Sequence, residues 1–230
     1  FLSVWTTLYS IDFFDKLGNY ARIGGLEVAR VGGNARMDEI KRKVASAKAF
    51  GSRSHLIGPK EIKEKFPLIE ESMVQGGLWD PDAGLVTPRS QTVAGKLVDM
   101  AEKTGKLKPY ANTAAKSLII ENGRIKGVET SRGTIMSDHV VVCAGIWGRL
   151  IAEMAGEDLP VMPVDHPLTF FGPYTEFAGT GKDIGYPLLR DQGNSAYMRD
   201  TGDPTTSEGG MIEWGYYEEK NPRLVHPREI

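Results

Sequence analysis

The sequence predicts a mixed α/β or α+β protein, built from mixed sheets and amphipathic helices, and three observations support this prediction. Residues 117–145 contain short apolar runs separated by turn signals such as Asn122-Gly123, which is typical of consecutive strands joined by tight turns. Helical segments precede and follow these strands. Residues 158–230 are rich in Gly, Pro and Tyr and contain strand-like pieces, so two strand-rich parts flank a helix–strand–helix middle.

Periodicity and end signals predict the individual elements. They are, in order, a helix at 5–14, a strand at 21–30, a helix at 34–51, a short helix from 59, a helix at 87–105, three strands within 117–143, a helix at 147–156 and strands within 158–230. Apolar alternation at Ile23, Leu26 and Val28 indicates the first strand. Thr87 is expected to cap the longest central helix and Gly105 to end it.

The composition excludes several classes of partner. With 28 basic and 30 acidic residues among 230, the net charge is −2 and no basic stripe is visible, so neither nucleic acid nor a charged membrane surface is an expected partner. The apolar runs are too short to span a bilayer. Cys143 is the single cysteine and the four histidines lack metal-ligand spacing, so we expect no disulfide and no metal site.

The two ends of the sequence and its cysteine content bear on its origin. The chain does not start with Met, carries no signal-peptide pattern and begins with a helix already under way, so we expect an internal fragment of a longer protein. A single cysteine permits a reducing compartment, the cytoplasm or the mitochondrial matrix.

The segment Val140–Gly148, VVVCAGIWG, is the local pattern that best suits a cofactor contact. A buried strand that ends at Ala144-Gly145 and leads into a helix leaves free backbone N–H groups, and Gly145 lets a flat group approach closely. The same residues also suit a packed strand with a tight turn, and Cys143 suits a small buried residue better than a nucleophile. The residues alone leave both interpretations open.

In its wider context this segment resembles a known family. The strands, Asp138, the apolar run and the A-G-x-W pattern at 144–147 resemble the central part of the D-amino-acid-oxidase-like FAD oxidoreductases, most closely the dimethylglycine and sarcosine dehydrogenase or oxidase group. The segments GGLEVAR, GGLWDPDAGLVTPRSQTVAGKLVDMAEKTG and MPVDHPLTFF match in the same order. The resemblance covers nearly the whole chain.

The resemblance implies a two-domain FAD-dependent fold and a set of site residues. It assigns 1–20 and 87–157 to a partial FAD-binding domain, and 21–86 and 158–230 to the substrate domain. The implied cofactor contacts are Ala115, Cys143, Ala144, Gly145 and Trp147. The implied catalytic residues are His166 and Tyr197, which match the family's histidine and a tyrosine on a later strand. Arg190 and Arg199 are candidate partners for a substrate carboxylate by their charge alone.

The implied activity is hydride transfer from an N-methyl amino acid, such as dimethylglycine or sarcosine, to FAD. The electron acceptor, an electron-transfer flavoprotein or oxygen, and the oligomeric state are left open. Pro167 and Leu168 replace the Gln and Tyr that follow the family's histidine, so a catalytically silent regulatory subunit stays an alternative, as does a different amino acid or a glycerol-3-phosphate-like substrate. The family's N-terminal dinucleotide motif is absent, so we expect this chain by itself to bind FAD weakly or not at all.

Overall fold

The computed structural model describes residues 2–179, 181, 184–203, 205 and 209–230. The helices are α1 Leu2–Lys16, α2 Asn34–Lys48, α3 Pro59–Lys65, α4 Ser90–Glu102 and α5 Gly148–Met154. The strands are β1 Tyr20–Arg22, β2 Gly25–Arg30, β3 His55–Ile57, β4 Val74–Asp80, β5 Gly84–Val86, β6 Ala115–Glu121, β7 Arg124–Thr130, β8 Gly133–Met136, β9 Val164–Asp165, β10 Leu168–Phe171, β11 Leu188–Asp191, β12 Ala196–Asp200, β13 Ile212–Tyr216 and β14 Arg223–Leu224. The predicted mixed α/β class is confirmed.

The chain divides into two compact units. The first comprises 1–97 and 166–219, and the second comprises 98–165 and 220–230. This division does not test the assignment of segments to cofactor and substrate domains, which stays a prediction. In the described part of the chain, no helix is long and apolar enough to cross a membrane.

The first unit is built on a seven-stranded sheet in the order β10-β13-β12-β11-β2-β4-β3. Neighbouring strands are antiparallel except β11 and β2, which are parallel. The face that carries Leu26, Val28 and Leu189 packs against Ile62 and Phe66, contributed by α3 and the residue that follows it, and we call it the core face. Because side chains alternate along a strand, Glu27 belongs to the opposite face, where Lys43 of α2 bonds its carboxylate at 2.8 and 2.9 Å.

The second unit contains the predicted three-strand segment. Strands β6, β7 and β8 form an antiparallel sheet in that order. Asn122 and Gly123 have φ values of 51° and 71°, which is the conformation that a tight two-residue hairpin requires. The predicted hairpin is therefore confirmed.

Two local predictions are wrong. Residues 140–143 do not form a buried strand: Val141 is 84% exposed, and Cys143 is exposed as well. An apolar run becomes a buried strand only where a neighbouring strand pairs with it, and the three-stranded sheet that precedes this run ends at β8. Helix α4 begins at Ser90 and is not capped by Thr87. The Thr87 backbone is bound elsewhere, because its N–H donates to the Asn19 carbonyl and its carbonyl accepts from Asn19 Nδ2.

Asp203 gives the first unit a built-in dependence on pH. It is 1% exposed and accepts hydrogen bonds from the Gly181 N–H and from the N–H and hydroxyl of Thr205. These donors favour the carboxylate and lower the pKa of Asp203 to about 2. The stabilisation is complete above the ordinary carboxyl pKa of about 4 and is lost as the pH falls through about 2.

We therefore expect Asp203→Asn to lower the free energy of unfolding at pH 5. The difference in this free energy between the variant and the unchanged protein, which we call the gap, should narrow between about pH 4 and pH 2. Denaturant unfolding at pH 5, 3.5 and 2.5 measures this gap. Asp99→Asn, at an exposed position on α4, is the matched control and should show no such trend. A gap of constant size over this range would contradict the assignment.

Candidate functional site

One face of β12 carries two of the residues that the sequence singled out. Tyr197 and Arg199 lie two positions apart, so their side chains share the face opposite the core face. In the register of the sheet Tyr197 lies beside Gly215 and Arg199 beside Glu213, and Gly215 in turn lies beside Leu168 of β10. We call this surface the site face.

The ring of Tyr197 lies over Gly215. A Cβ atom built on Gly215 would come within 2.1 Å of Tyr197 Cζ and 2.3 Å of its hydroxyl oxygen. No side chain other than hydrogen can occupy position 215 while the ring stays in place. The glycine therefore determines where the Tyr197 hydroxyl lies.

His166 joins Tyr197 through an aromatic contact. Its ring meets Tyr217 edge-on, with centroids 4.7 Å apart, and the Tyr217 ring lies 5.3 Å from that of Tyr197. His166 Nδ1 is 3.0 Å from Glu218 Oε2. The structure thus brings the two predicted catalytic residues into one cluster, which we call the tyrosine–histidine cluster: His166, Tyr197, Tyr217 and Glu218.

The electrostatics of the cluster define its protonation states. The hydrogen bond from His166 lowers the pKa of Glu218, so this carboxylate is ionised near neutral pH. Burial, and then a hydrogen bond to Tyr217, raise the pKa of Tyr197, so its hydroxyl keeps its proton. Because an ionised carboxylate only accepts, Nδ1 of His166 donates to it, and a neutral His166 has its lone pair at Nε2.

Arg199 is held by an acidic neighbour. Its Nε lies 2.8 Å and its Nη2 2.5 Å from Glu213 Oε2, and the Glu213 side chain is only 16% exposed. Arg190 is exposed and forms no ion pair with any residue that the structure describes. Both arginines belong to the site face, since Arg190 is the register partner of Tyr197, but only Arg199 forms an ion pair there with a described residue.

A cleft runs along the same face beside this ion pair. Its volume is about 1450 Å³, and its walls include Phe170, Arg199 and Glu213 together with Ile11 and Phe14 of α1. Tyr197 is not part of its lining; it lies two residues before Arg199, roughly 6–7 Å along the strand. The cleft and the tyrosine–histidine cluster are therefore adjacent features of one surface.

The predicted cofactor contacts lie in the second unit. Ala115 begins β6 and is exposed, and Cys143 and Ala144 precede a short 3-10 helix, Gly145–Trp147. Gly145 has a φ of +53°, and nothing lies within 4 Å of the position that a Cβ would take. Trp147 is 47% exposed. Four of the five predicted contacts thus form one continuous, accessible segment.

Sequence reasoning missed Tyr217, Glu218 and Glu213. Strand alternation could have indicated Glu213 and Tyr217. Once β13 is recognised, positions 213 and 215 share a face, and position 217, directly after the strand, continues the alternation. Nothing local indicates that Glu218 meets His166, because the two residues are 52 positions apart. The described residues contain no cluster of His, Cys, Asp and Glu that could hold a metal ion.

Comparison with known proteins gives consistent matches. The family model described as FAD dependent oxidoreductase (DAO) matches residues 7–228. Human mitochondrial dimethylglycine dehydrogenase is 32% identical over 164 residues, covering 71% of this chain and 18% of that protein. Human mitochondrial sarcosine dehydrogenase is 30% identical over 217 residues, covering 88% of this chain and 21% of that protein. The structure of L-proline dehydrogenase from P. horikoshii matches with a TM-score of 0.73 and 28% identity, over 96% of this chain and 54% of that one.

A relative of a different kind also matches. The mitochondrial pyruvate dehydrogenase phosphatase regulatory subunit of Mus musculus is 28% identical over 206 residues, covering 90% of this chain and 22% of that protein. The chain spans about a fifth of the length of the dehydrogenases and of this subunit.

The segment at Gly145 fits a flat cofactor such as FAD in one respect. The open space beside Gly145 and the exposed Trp147 ring would allow a planar group to approach the backbone. None of the five predicted contact residues carries a charged side chain, so they could supply apolar and backbone contacts. Charged partners for a dinucleotide would have to come from other residues.

Proposed function

Because the chain belongs to the FAD dependent oxidoreductase (DAO) family, we propose that it carries the amine-binding surface of a flavin-dependent dehydrogenase or oxidase. The proposed substrate is an N-methyl amino acid of the dimethylglycine or sarcosine type, which loses a hydride to FAD. The observation that supports this best is the Glu218–His166 pair, whose imidazole contacts Tyr217, which in turn contacts Tyr197 on the site face.

The chemistry requires a neutral amine, because a protonated nitrogen has no lone pair to assist departure of the hydride. His166 is suited to take the ammonium proton at Nε2, since Nδ1–H already donates to Glu218 and the carboxylate stabilises the resulting imidazolium. Tyr197 keeps its proton, which it donates to Tyr217, and its hydroxyl oxygen can accept a hydrogen bond from the substrate ammonium. When bound, FAD supplies the hydride acceptor.

The other end of the substrate would meet the ion pair on the same face. Arg199 can share its guanidinium between Glu213 and a substrate carboxylate, because a guanidinium offers five N–H donors and Glu213 Oε2 contacts only two of its nitrogens. The names of the two dehydrogenases, which refer to N-methylated glycines, support a small amino-acid substrate.

The test is amine-dependent flavin reduction by the whole protein. We expect dimethylglycine or sarcosine to bleach the flavin, and His166→Ala and Tyr197→Phe to slow this by about 10²-fold or more. Glu218→Gln should slow it less, because Nδ1–H of His166 keeps an accepting oxygen but loses the carboxylate charge. His55→Ala and Tyr110→Phe, both at exposed positions, are the matched controls. Unchanged rates in the His166 and Tyr197 variants would refute the assignment.

A regulatory subunit without catalytic activity is the second candidate. It is supported by the likeness to the phosphatase regulatory subunit and by Pro167 and Leu168 in place of the family's Gln and Tyr. Tight FAD binding without reduction by any of these amines would favour it over the enzyme.

We further propose the cytoplasm or the mitochondrial matrix as the compartment, supported by the mitochondrial relatives. Anaerobic and aerobic reoxidation rates would distinguish an electron-transfer flavoprotein from oxygen as the acceptor.

A further inference from the structure

The core face of the large sheet carries a second cavity, separate from the site face. Its volume is about 450 Å³, and most of its lining is apolar or aromatic. The aromatic walls are Phe66, Phe171, Tyr174 and Trp214. Phe171 and Trp214 are 42% and 39% exposed, and their ring centroids lie 5.6 Å apart. The cavity is therefore accessible and presents aromatic rings to whatever enters it.

A buried carboxylate contributes to the same wall. Asp191 lines the cavity and is 5% exposed. Its Oδ2 accepts hydrogen bonds from Arg30 Nε at 2.7 Å and from Asn194 Nδ2 at 2.8 Å. Its Oδ1 is buried and has no hydrogen-bond partner among the residues that the structure describes. A buried anionic oxygen without a donor is costly, and a nearby positive charge would relieve that cost.

The charges around the cavity favour a cation. Asp191 and Glu70 contribute two negative charges to the lining, and Arg30 contributes one positive charge. The Arg30 side chain is 49% exposed, whereas that of Asp191 is only 7% exposed, so water screens the arginine more than the aspartate. The lining residues therefore carry a net charge of −1, and Asp191 is the one charged group among them that is buried, since Glu70 is exposed like Arg30.

We propose that this cavity binds a small organic cation, an ammonium whose nitrogen carries methyl or other apolar substituents. Aromatic faces attract such cations through their negative quadrupole, and the substituents fill apolar space that a bare metal ion would leave empty. Asp191 supplies the charge that distinguishes the cation from a neutral molecule of the same shape. The proposal does not depend on the flavin chemistry proposed above.

The position of the cavity makes it independent of the tyrosine–histidine cluster. Asp191 and Arg190 are neighbours on β11, so their side chains point to opposite faces of the sheet, and Arg190 is the register partner of Tyr197. A cation bound beside Asp191 would therefore leave Tyr197 and His166 uncovered. This is a second site and not an extension of the first.

Two probes of the same shape test the charge requirement. We expect phenyltrimethylammonium to bind the whole protein in calorimetric titration, and its neutral isostere tert-butylbenzene to bind at least about tenfold more weakly. Asp191→Asn should weaken binding of the cation about tenfold and leave that of the neutral compound unchanged. Trp214→Leu should weaken binding of the cation about three- to tenfold.

Matched variants keep the test decisive. Glu64→Gln removes an equal charge from an exposed position on α3 outside the cavity and should leave both affinities unchanged. If Asp191→Asn does not fold, Glu70→Gln at the exposed rim should still weaken the cation about two- to threefold. Equal affinities for the two probes, no saturable cation binding up to about 10 mM, or binding abolished by Tyr197→Phe but not by Trp214→Leu would each overturn the proposal.

Discussion

Replacing Gly215 by alanine is expected to slow amine-dependent flavin reduction at least about tenfold, although residue 215 carries no functional group. The added Cβ would lie 2.1 Å from Tyr197 Cζ, a distance that no real contact permits, so the tyrosine ring must leave its position over the sheet. Its hydroxyl then no longer meets Tyr217, and the link to His166 is broken. Overpacking of this kind also lowers the free energy of unfolding by about 1–3 kcal/mol.

The measurement pairs the reduction rate with thermal unfolding of the same preparations. Gly95→Ala is the matched control, since nothing lies within 4 Å of its Cβ position and alanine favours a helix interior by up to about 1 kcal/mol. We expect that control to keep the rate and to gain slightly in stability. A Gly215→Ala protein that reduces its flavin at the full rate would show that Tyr197 does not need this position.

What could be predicted from the sequence was the part encoded locally. Alternation at Leu26 and Val28 predicted β2, and Pro59 predicted the start of α3, because both signals act over a few residues. The resemblance directed attention to His166 and Tyr197, and the structure places both in one cluster, but their roles stay a proposal. Glu218 could not be predicted, since its contact with His166 depends on how β10 and β13 pair.

The wrong prediction at residues 140–143 has the same cause. Three valines and a cysteine satisfy the composition of a buried strand, yet burial is a property of the neighbours and not of the run itself. Val141 and Val142 are 84% and 49% exposed because no described strand lies beside them. Periodicity can therefore indicate an apolar run, but it cannot supply the strand that covers it.

Asp200 accepts hydrogen bonds that could not be predicted from the sequence. We expect its replacement to have the largest effect on the free energy of unfolding. The residue is 0% exposed, and its two oxygens accept the backbone N–H groups of Gly185, Tyr186 and Gly202 at 2.8–2.9 Å. Asp200→Ala leaves one buried and two part-buried donors without this acceptor, at about 1–3 kcal/mol for each buried unsatisfied group and less for a part-buried one. We expect a loss of about 3–5 kcal/mol in the free energy of unfolding.

Asp200 also supports the site, because it lies at the end of the strand that carries two site residues. Asp200 closes β12, the strand of Tyr197 and Arg199, and its bonds to residues 185 and 186 tie that strand to the segment leading into β11. Asp200→Asn keeps one accepting oxygen and should lose about half as much stability as Asp200→Ala, whereas Asp99→Ala on α4 should lose little, as denaturant unfolding would show. Equal losses for Asp200→Ala and Asp99→Ala would contradict this role. If Asp200→Asn folds but reduces its flavin slowly, the backbone bonds hold the site face in register as well as stabilising the fold.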